Sequence, residues 1–286
     1  MDDSSDFVTW QEIDALASEP ADHRLLYGSE PSQFLDLRIP KGDGPHPVVI
    51  VIHGGCWSRR FSTLQNTAAM ADALRNEGYA TANFEYRRAD EDGGGWPGTY
   101  LDVADAADIL AHMAAQFDLD ATRVVASGHS AGGHLALWLA ARPKLPLDSP
   151  LYREKPLTLL GVAATAAPGD LAAARNPMTD PCEQDMISLL MGGAPDQVPG
   201  RYQQGSPVEL LPLGVPQLLI TGQHDPVVPV RLGDDYVARA TAAGDRAEHR
   251  VVEEAAHHEC NLPGSVIWPY LLANIQGLFS PQKSRE

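Results

Sequence analysis

No stretch of this chain approaches the ~18–20 apolar residues that a membrane span needs. The longest apolar runs are Val48–Ile52 and Leu135–Ala141. Cysteine is scarce: Cys56, Cys182 and Cys260 are an odd number with no short spacing. That argues against a disulfide framework or a cysteine zinc site and points to a reducing cytoplasm. Basic residues are few, with 21 Lys and Arg against 38 Asp and Glu, for a net charge of −17. Such a surface repels polyanions, so neither nucleic acid nor an anionic membrane is an expected partner. Residues Met1-Asp2-Asp3-Ser4-Ser5-Asp6 lack the basic and apolar regions of a secretory signal. There is no internal repeat and no low-complexity segment. The run His257-His258-Glu259 has no helical metal-site spacing, so no metal is expected.

What is present is an alternation of apolar strands and amphipathic helices. Residues 1–22 are polar and acidic, with a short amphipathic stretch Trp10–Leu16, and read as a tail or cap helix. Residues 23–286 read as a single domain. Gln33–Ile39 alternates apolar and polar, the mark of a half-exposed strand near a sheet edge. Pro47–Ile52 is continuously apolar and β-branched, as a central strand buried on both faces requires. Further strands are predicted at Tyr79–Tyr86, Thr122–Ser127, Leu157–Ala167, Val215–Gly222 and His249–Glu253. Helices are predicted at Asn66–Glu77, Leu101–Phe117, His134–Ala141, Leu232–Ala243 and Ser265–Phe279. Asp102, Asp105 and Asp108 fall at i, i+3, i+6 and read as a solvated helix face. The order predicts an α/β fold with a mostly parallel sheet covered by helices on both faces. Pro168–Pro207, rich in Pro, Gly and Met with one helical piece at Glu183–Met191, reads as a lid-like excursion above the sheet.

Three segments carry chemistry. Gly128-His129-Ser130-Ala131-Gly132 is a G-x-S-x-G turn between a strand and a helix, the context a nucleophile elbow requires. Its glycines leave room where a Cβ would meet a neighbouring strand or helix. A serine hydroxyl needs a base, and the base an orienting acid. Asp225 follows one predicted strand, and His257 and His258 follow the last, giving the chain order Ser, Asp, His. Either histidine could serve as the base. A helix N-cap is the plain alternative for Asp225, and Asp170 is a rival acid. His53-Gly54-Gly55-Cys56-Trp57 follows the central strand. The N–H groups of Gly54 and Gly55, with that of Ala131, could hold an oxyanion, and the His53 ring would anchor the loop. Cys56, Trp57 and His129 could border the substrate. Trp96 and Tyr100 could shape an aromatic pocket, and Met178, Met186 and Met191 an adaptable wall, though core packing serves all five equally well.

Together these segments resemble the α/β-hydrolase superfamily over about residues 34–279. They are most similar to the HGGxW group that contains kynurenine formamidase and small carboxylesterases. Glu254–Pro263 matches that group's histidine segment at Ala255, His257, Glu259 and Pro263, which favours His257 as the base and departs at His258 and Glu254. The resemblance implies acyl transfer to water through an acyl-enzyme on Ser130, with His257 as base, Asp225 orienting it, and no cofactor. The expected substrate is a small carboxylic ester, with an aryl formamide as the alternative. A non-catalytic binding protein on this scaffold and a peptidase are the rivals. The lack of an added filtering domain speaks against the peptidase.

Overall fold

The protein is described here from a computed structural model covering residues 7–280. Of the tail or cap helix expected at 1–22, residues 1–6 lie outside the described residues. The eight strands are β1 His23–Leu26, β2 Phe34–Arg38, β3 His46–Ile52, β4 Ala80–Phe84, β5 Leu119–His129, β6 Gly161–Thr165, β7 Gln217–Gly222 and β8 Ala247–Val252. The helices are α1 Trp10–Asp14, α2 Ala68–Asn76, α3 Gly98–Met113, α4 Ala131–Ala141, α5 Leu171–Thr179, α6 Met186–Met191, α7 Pro199–Gly205, α8 Val230–Ala242 and α9 Trp268–Phe279. The strands form one sheet in the order β1-β2-β4-β3-β5-β6-β7-β8. Strands β3 to β8 run parallel, and β2 alone runs against them, antiparallel to both of its neighbours β1 and β4.

The α/β reading holds. The β-branched run of β3 lies mid-sheet between β4 and β5, with Val49, Ile50, Val51 and Ile52 fully buried. Chain direction across the sheet reverses at β3: the chain passes to β4 on one side, then to β5 on the other. The carboxyl ends of β3 and β5 therefore flank a topological switch point, where open α/β sheets hold their ligands. Strand β2 lies near the sheet edge as expected, next to the edge strand β1, but it is largely buried and not half-exposed. The alternation of Phe34–Arg38 reflects Arg38 and Asp36 being buried and partnered, not facing open solvent. Arg24 binds Asp36 at 2.7 Å, and Arg38 donates to Glu19 O at 3.3 Å.

Two further expectations are corrected. Of the α3 aspartates only Asp105 stays substantially exposed, so they do not form a solvated face. Asp102 is buried and receives the Arg87 guanidinium at 2.7 Å, and Asp108 pairs with the buried Arg142 at 2.6 Å. Helical spacing cannot distinguish solvent from cations that another part of the fold delivers. Cys56 and Cys182 are joined in a disulfide across 126 residues of chain. Spacing read along the chain cannot find such a pair, and the bond removes the support that scarce cysteine lent to a reducing compartment. Cys260 is free and buried.

The excursion at 168–207 contains α5, α6 and α7. Leu171, Met178, Met186, Leu190 and Met191 are buried in the main core, so the methionines pack and do not line an open wall. Helix α4 bolts this segment down: His134 Nε2 donates to Gly205 O at 2.8 Å and Trp138 Nε1 to Gln204 O at 2.9 Å. Tyr100 is fully buried, its hydroxyl 3.2 Å from Met191 Sδ. No helix among the described residues is long and apolar enough to cross a membrane.

Candidate active site

Ser130 stands between β5 and α4 with φ 54° and ψ −119°. A side chain at positive φ costs about 1–3 kcal/mol and persists only where its surroundings over-determine it. Here Ser130 N–H donates to Thr165 O at 2.9 Å, and Ser130 O accepts from His134 N–H at 3.1 Å. The strain turns the side chain away from both elements and into a cleft of about 270 Å³. Gly132 makes the turn possible from behind. A Cβ there would lie 2.1 Å from Ile52 O, so only glycine lets α4 press against the end of β3. That contact brings the first turn of α4, whose N–H groups have no intrahelical partners, beside the His53–Trp57 loop.

The first three carbonyls of the loop are held by the protein. His53 O accepts from Tyr86 Oη at 2.9 Å, Gly54 O lies 2.9 Å from His53 Nδ1, and Gly55 O accepts from Ser58 N–H at 2.9 Å. In a trans peptide the N–H points opposite the preceding C=O. Fixing His53 O and Gly54 O therefore aims the N–H groups of Gly54 and Gly55. Gly55 lines the cleft, and Gly54 is so close to Ser130 that an added Cβ would lie 3.1 Å from the serine Cβ. The His53 ring is fully buried, with Nε2 2.9 Å from Glu85 Oε1, and stacks on Tyr86 at 4.4 Å. Burial opposes the charge of Glu85, but the His53 ring and the Arg88 guanidinium outweigh it and hold the carboxyl below the usual range. This ring therefore anchors the loop.

Asp225 follows β7 and its carboxylate is fully buried. Oδ1 accepts the N–H groups of Val227 and Val228, both at 2.8 Å, and Oδ2 lies 2.8 Å from His257 Nδ1. Asp225 is not a helix cap, since Pro229 holds the N-cap of α8; one carboxylate oxygen closes the turn after β7 and the other faces the histidine. Close approach of the histidine segment needs Gly222, where a Cβ would lie 2.3 Å from Ala256 O. Asp170 is elsewhere engaged: it caps α5 through Ala173 N–H at 3.0 Å and pairs with Arg239 at 2.9 Å.

His257 and Ser130 both line the cleft, although no hydrogen bond joins Ser130 Oγ to the imidazole among the described residues. Such bonds are commonly long before a substrate is bound. His258 also lines the cleft but makes no contact with the Asp225 carboxylate, and burial followed by the nearby His257 lowers its pKa to about 4. Cys56 and His129 border the cleft as expected from the sequence, whereas Trp57 does not. Trp57 has φ 53°, which turns its indole inward, where it is fully buried and packs edge-on to His134 at 5.4 Å. Burial first, then His257 and His258, hold His129 well below the ordinary histidine range. Its Nε2 donates to His257 O at 3.0 Å. Among the described residues, no group of His, Cys, Asp and Glu is arranged to hold a metal ion.

Two residues that brace the site, Glu259 and Asn66, have no role legible in the sequence. Glu259, buried at 6 % exposure, accepts Ala256 N–H at 3.0 Å and Val8 N–H at 2.8 Å, tying the histidine segment to the N-terminal arm. Asn66 lines the cleft while accepting from Asn261 Nδ2 at 2.7 Å and donating to Asp14 at 3.1 Å. In the sequence Glu259 is only a motif match.

Known proteins agree with this architecture. Esterase LipC of Mycobacterium tuberculosis is 27% identical over 227 residues, 77% of this chain and 55% of that protein. The isoprenylcysteine alpha-carbonyl methylesterase ICME of Arabidopsis thaliana is 28% identical over 113 residues, 39% of this chain and 26% of that protein. The chain thus spans about half the length of LipC and less of ICME. Among solved structures, a truncated carbohydrate esterase from gut microbiota superposes with a TM-score of 0.76 at 20% identity, covering 91% of this chain and 99% of that one. A thermophilic esterase of Thermogutta terrifontis, Est2, gives 0.72 at 19% identity, covering 93% and 95%. At such identities these structures speak for the α/β-hydrolase fold alone. The profile of the BD-FAE family matches residues 35–238, a span that holds Gly54, Gly55, Ser130, Ala131 and Asp225 and stops before His257. With more than half of its length matched, the chain belongs to the BD-FAE family within the α/β-hydrolase esterase superfamily.

Proposed function

We propose that the protein is a serine carboxylesterase acting on small esters through an acyl-enzyme on Ser130. The observation that carries this reading is the 2.8 Å contact between His257 Nδ1 and Asp225 Oδ2, in the cleft that also presents Ser130. Asp225 accepts from Nδ1–H, which leaves Nε2 of His257 bare as the base. Ser130 Oγ attacks the ester carbonyl carbon and passes its proton to Nε2. The carbonyl oxygen becomes an oxyanion facing the N–H groups of Gly54, Gly55 and Ala131. Each such donor is typically worth 10²–10³ in rate. The imidazolium is stabilised by Asp225 and returns the proton to the departing alkoxide. Water, deprotonated by His257, then attacks the acyl-enzyme, and the acid leaves with Ser130 regenerated.

Ester over amide is favoured by the similarity to LipC and ICME, both of them esterases. The test is parallel hydrolysis of p-nitrophenyl acetate, p-nitrophenyl butyrate and N-formylkynurenine by wild type and Ser130→Ala. Ester turnover by wild type, lost by on the order of 10⁴-fold or more in the variant, supports the reading. Preference for N-formylkynurenine makes it a formamidase. Binding without turnover in wild type makes it a binding protein on a hydrolase scaffold.

A further inference from the structure

The esterase reading leaves open how the alcohol half of the ester is recognised. The alkoxide takes its proton from His257 Nε2, so that half must lie on the His257 side of Ser130. Two cleft side chains outside the triad come from segments beside His257: His258 follows it directly, and Trp10 stands on α1, which packs against the turn that begins at His258. The ring of His258 stands edge-on to that of His257, with centroids 5.2 Å apart. Its nitrogens find no hydrogen-bond partner among the described residues. With its pKa lowered to about 4 by burial and by His257, the ring is uncharged at neutral pH and offers one donor and one acceptor. Trp10 lines the same cleft yet is 41% exposed, an indole whose apolar face has not been covered by the fold.

The helix that bears Trp10 is fastened. Thr9 and Glu12 close a capping box at its start, and Ile13 is buried. Val8 N–H donates to Glu259, and Asp14 accepts from Asn66, which itself accepts from Asn261. Glu259 and Asn261 belong to the turn that begins at His258. Trp10 and His258 are thus set in place by one hydrogen-bonded unit at the edge of the cleft.

We propose that Trp10 and His258 form an alcohol subsite that takes a ring-bearing alcohol carrying a further hydroxyl. The indole covers the ring face, and the neutral imidazole hydrogen-bonds the hydroxyl. This rests on the esterase reading above. A straight-chain alcohol has no flat face to offer and gains little from either group.

The test compares ethyl, cyclohexyl, phenyl and 3-hydroxyphenyl acetates. All four give the same acetyl-enzyme, so alcohol recognition appears in kcat/KM and not in deacylation. Dividing variant by wild type for each ester cancels intrinsic leaving-group reactivity. Trp10→Ala is expected to lower the phenyl-to-ethyl ratio of kcat/KM by about tenfold, with Trp10→Phe retaining most of it. A matching fall for the cyclohexyl ester assigns the face to rings in general, and a fall confined to the phenyl esters assigns it to aromatic ones. His258→Phe keeps a ring of similar size and is expected to lower the 3-hydroxyphenyl-to-phenyl ratio by about fivefold. If both variants change kcat/KM by the same factor for all four esters, the two residues only support the scaffold and the subsite is overturned. If wild type hydrolyses none of the acetates, the esterase reading itself has failed and takes the subsite with it.

Discussion

His129 donates its Nε2–H to the backbone carbonyl of His257 at 3.0 Å, so the residue before Ser130, the proposed nucleophile, holds the segment that carries His257, the proposed base. Nε2 must be the protonated nitrogen, because a carbonyl only accepts. Burial keeps the ring neutral, which spares the site a second cation beside His257. His129→Leu should therefore lower kcat about tenfold with a smaller change in KM. His129→Gln, whose amide can still donate, should recover part of the loss. Full kcat/KM pH profiles of both variants check this, and an unaltered profile in His129→Leu would remove the positioning role.

The aim of the Gly54 N–H depends on the Tyr86 hydroxyl, which holds His53 O at 2.9 Å. Tyr86→Phe removes only that oxygen from a fully buried ring. It should cost about tenfold in kcat, less than the 10²–10³ of losing an oxyanion donor outright. Near-equal losses in kcat and kcat/KM would place the effect in the transition state, as an oxyanion role demands. A rise in KM alone would speak against it.

The Cys56–Cys182 bond joins the His53–Trp57 loop to the excursion at 168–207, and Cys56 lines the cleft together with Pro181 and Glu183, the two neighbours of Cys182. Closing so long a loop stabilises a fold by about 2–4 kcal/mol. Cys182→Ser, or treatment with a dithiol, should lower the melting temperature and raise KM for esters. Thermal unfolding with and without the dithiol reads the first effect. If wild type melts at the same temperature in both, the bond contributes nothing measurable.

Stability should fall with acid over a defined window. His134 and His258 are each held near pKa 4, mainly by burial, against an ordinary value of 6.5. Between these values the unfolded chain binds protons that the folded protein refuses, so stability is complete above pH 6.5 and is lost as pH falls towards 4. His134 alone accounts for about 3 kcal/mol across that window. His134→Gln should flatten the slope of melting temperature against pH between 6.5 and 4, at some cost at pH 7 from repacking. An equally steep slope in the variant would show that other groups govern acid sensitivity.

Much of this protein can be read in short stretches. The β-branched run of β3 declares a central strand because both its faces are apolar. The elbow is legible because strand, glycine, serine, glycine and helix follow one another without interruption. The Gly54-Gly55 pair is legible for the same reason, and Asp225 stands at a strand end that a tight turn marks. The resemblance to α/β-hydrolases rests on these segments, each less than ten residues long.

What the sequence could not determine depends on partners brought from elsewhere in the chain. Between His257 and His258 the residue types alone leave the choice open, and the resemblance of Glu254–Pro263 to the family's histidine segment only favours the first. The pairing of β7 with β8 and the close approach at Gly222 bring Asp225 to the first of them. The aspartates of α3 look solvated until Arg87 and Arg142 arrive, and Trp57 looks like a pocket wall until positive φ turns it into the core. Cys56 meets Cys182, and Val8 meets Glu259, only because sheet order folds distant segments over one end of the sheet. Periodicity and turn chemistry act over a few residues and so are written in the sequence. Which buried charge finds its counter-charge, and which wall closes the cleft, is decided only when the whole sheet has assembled.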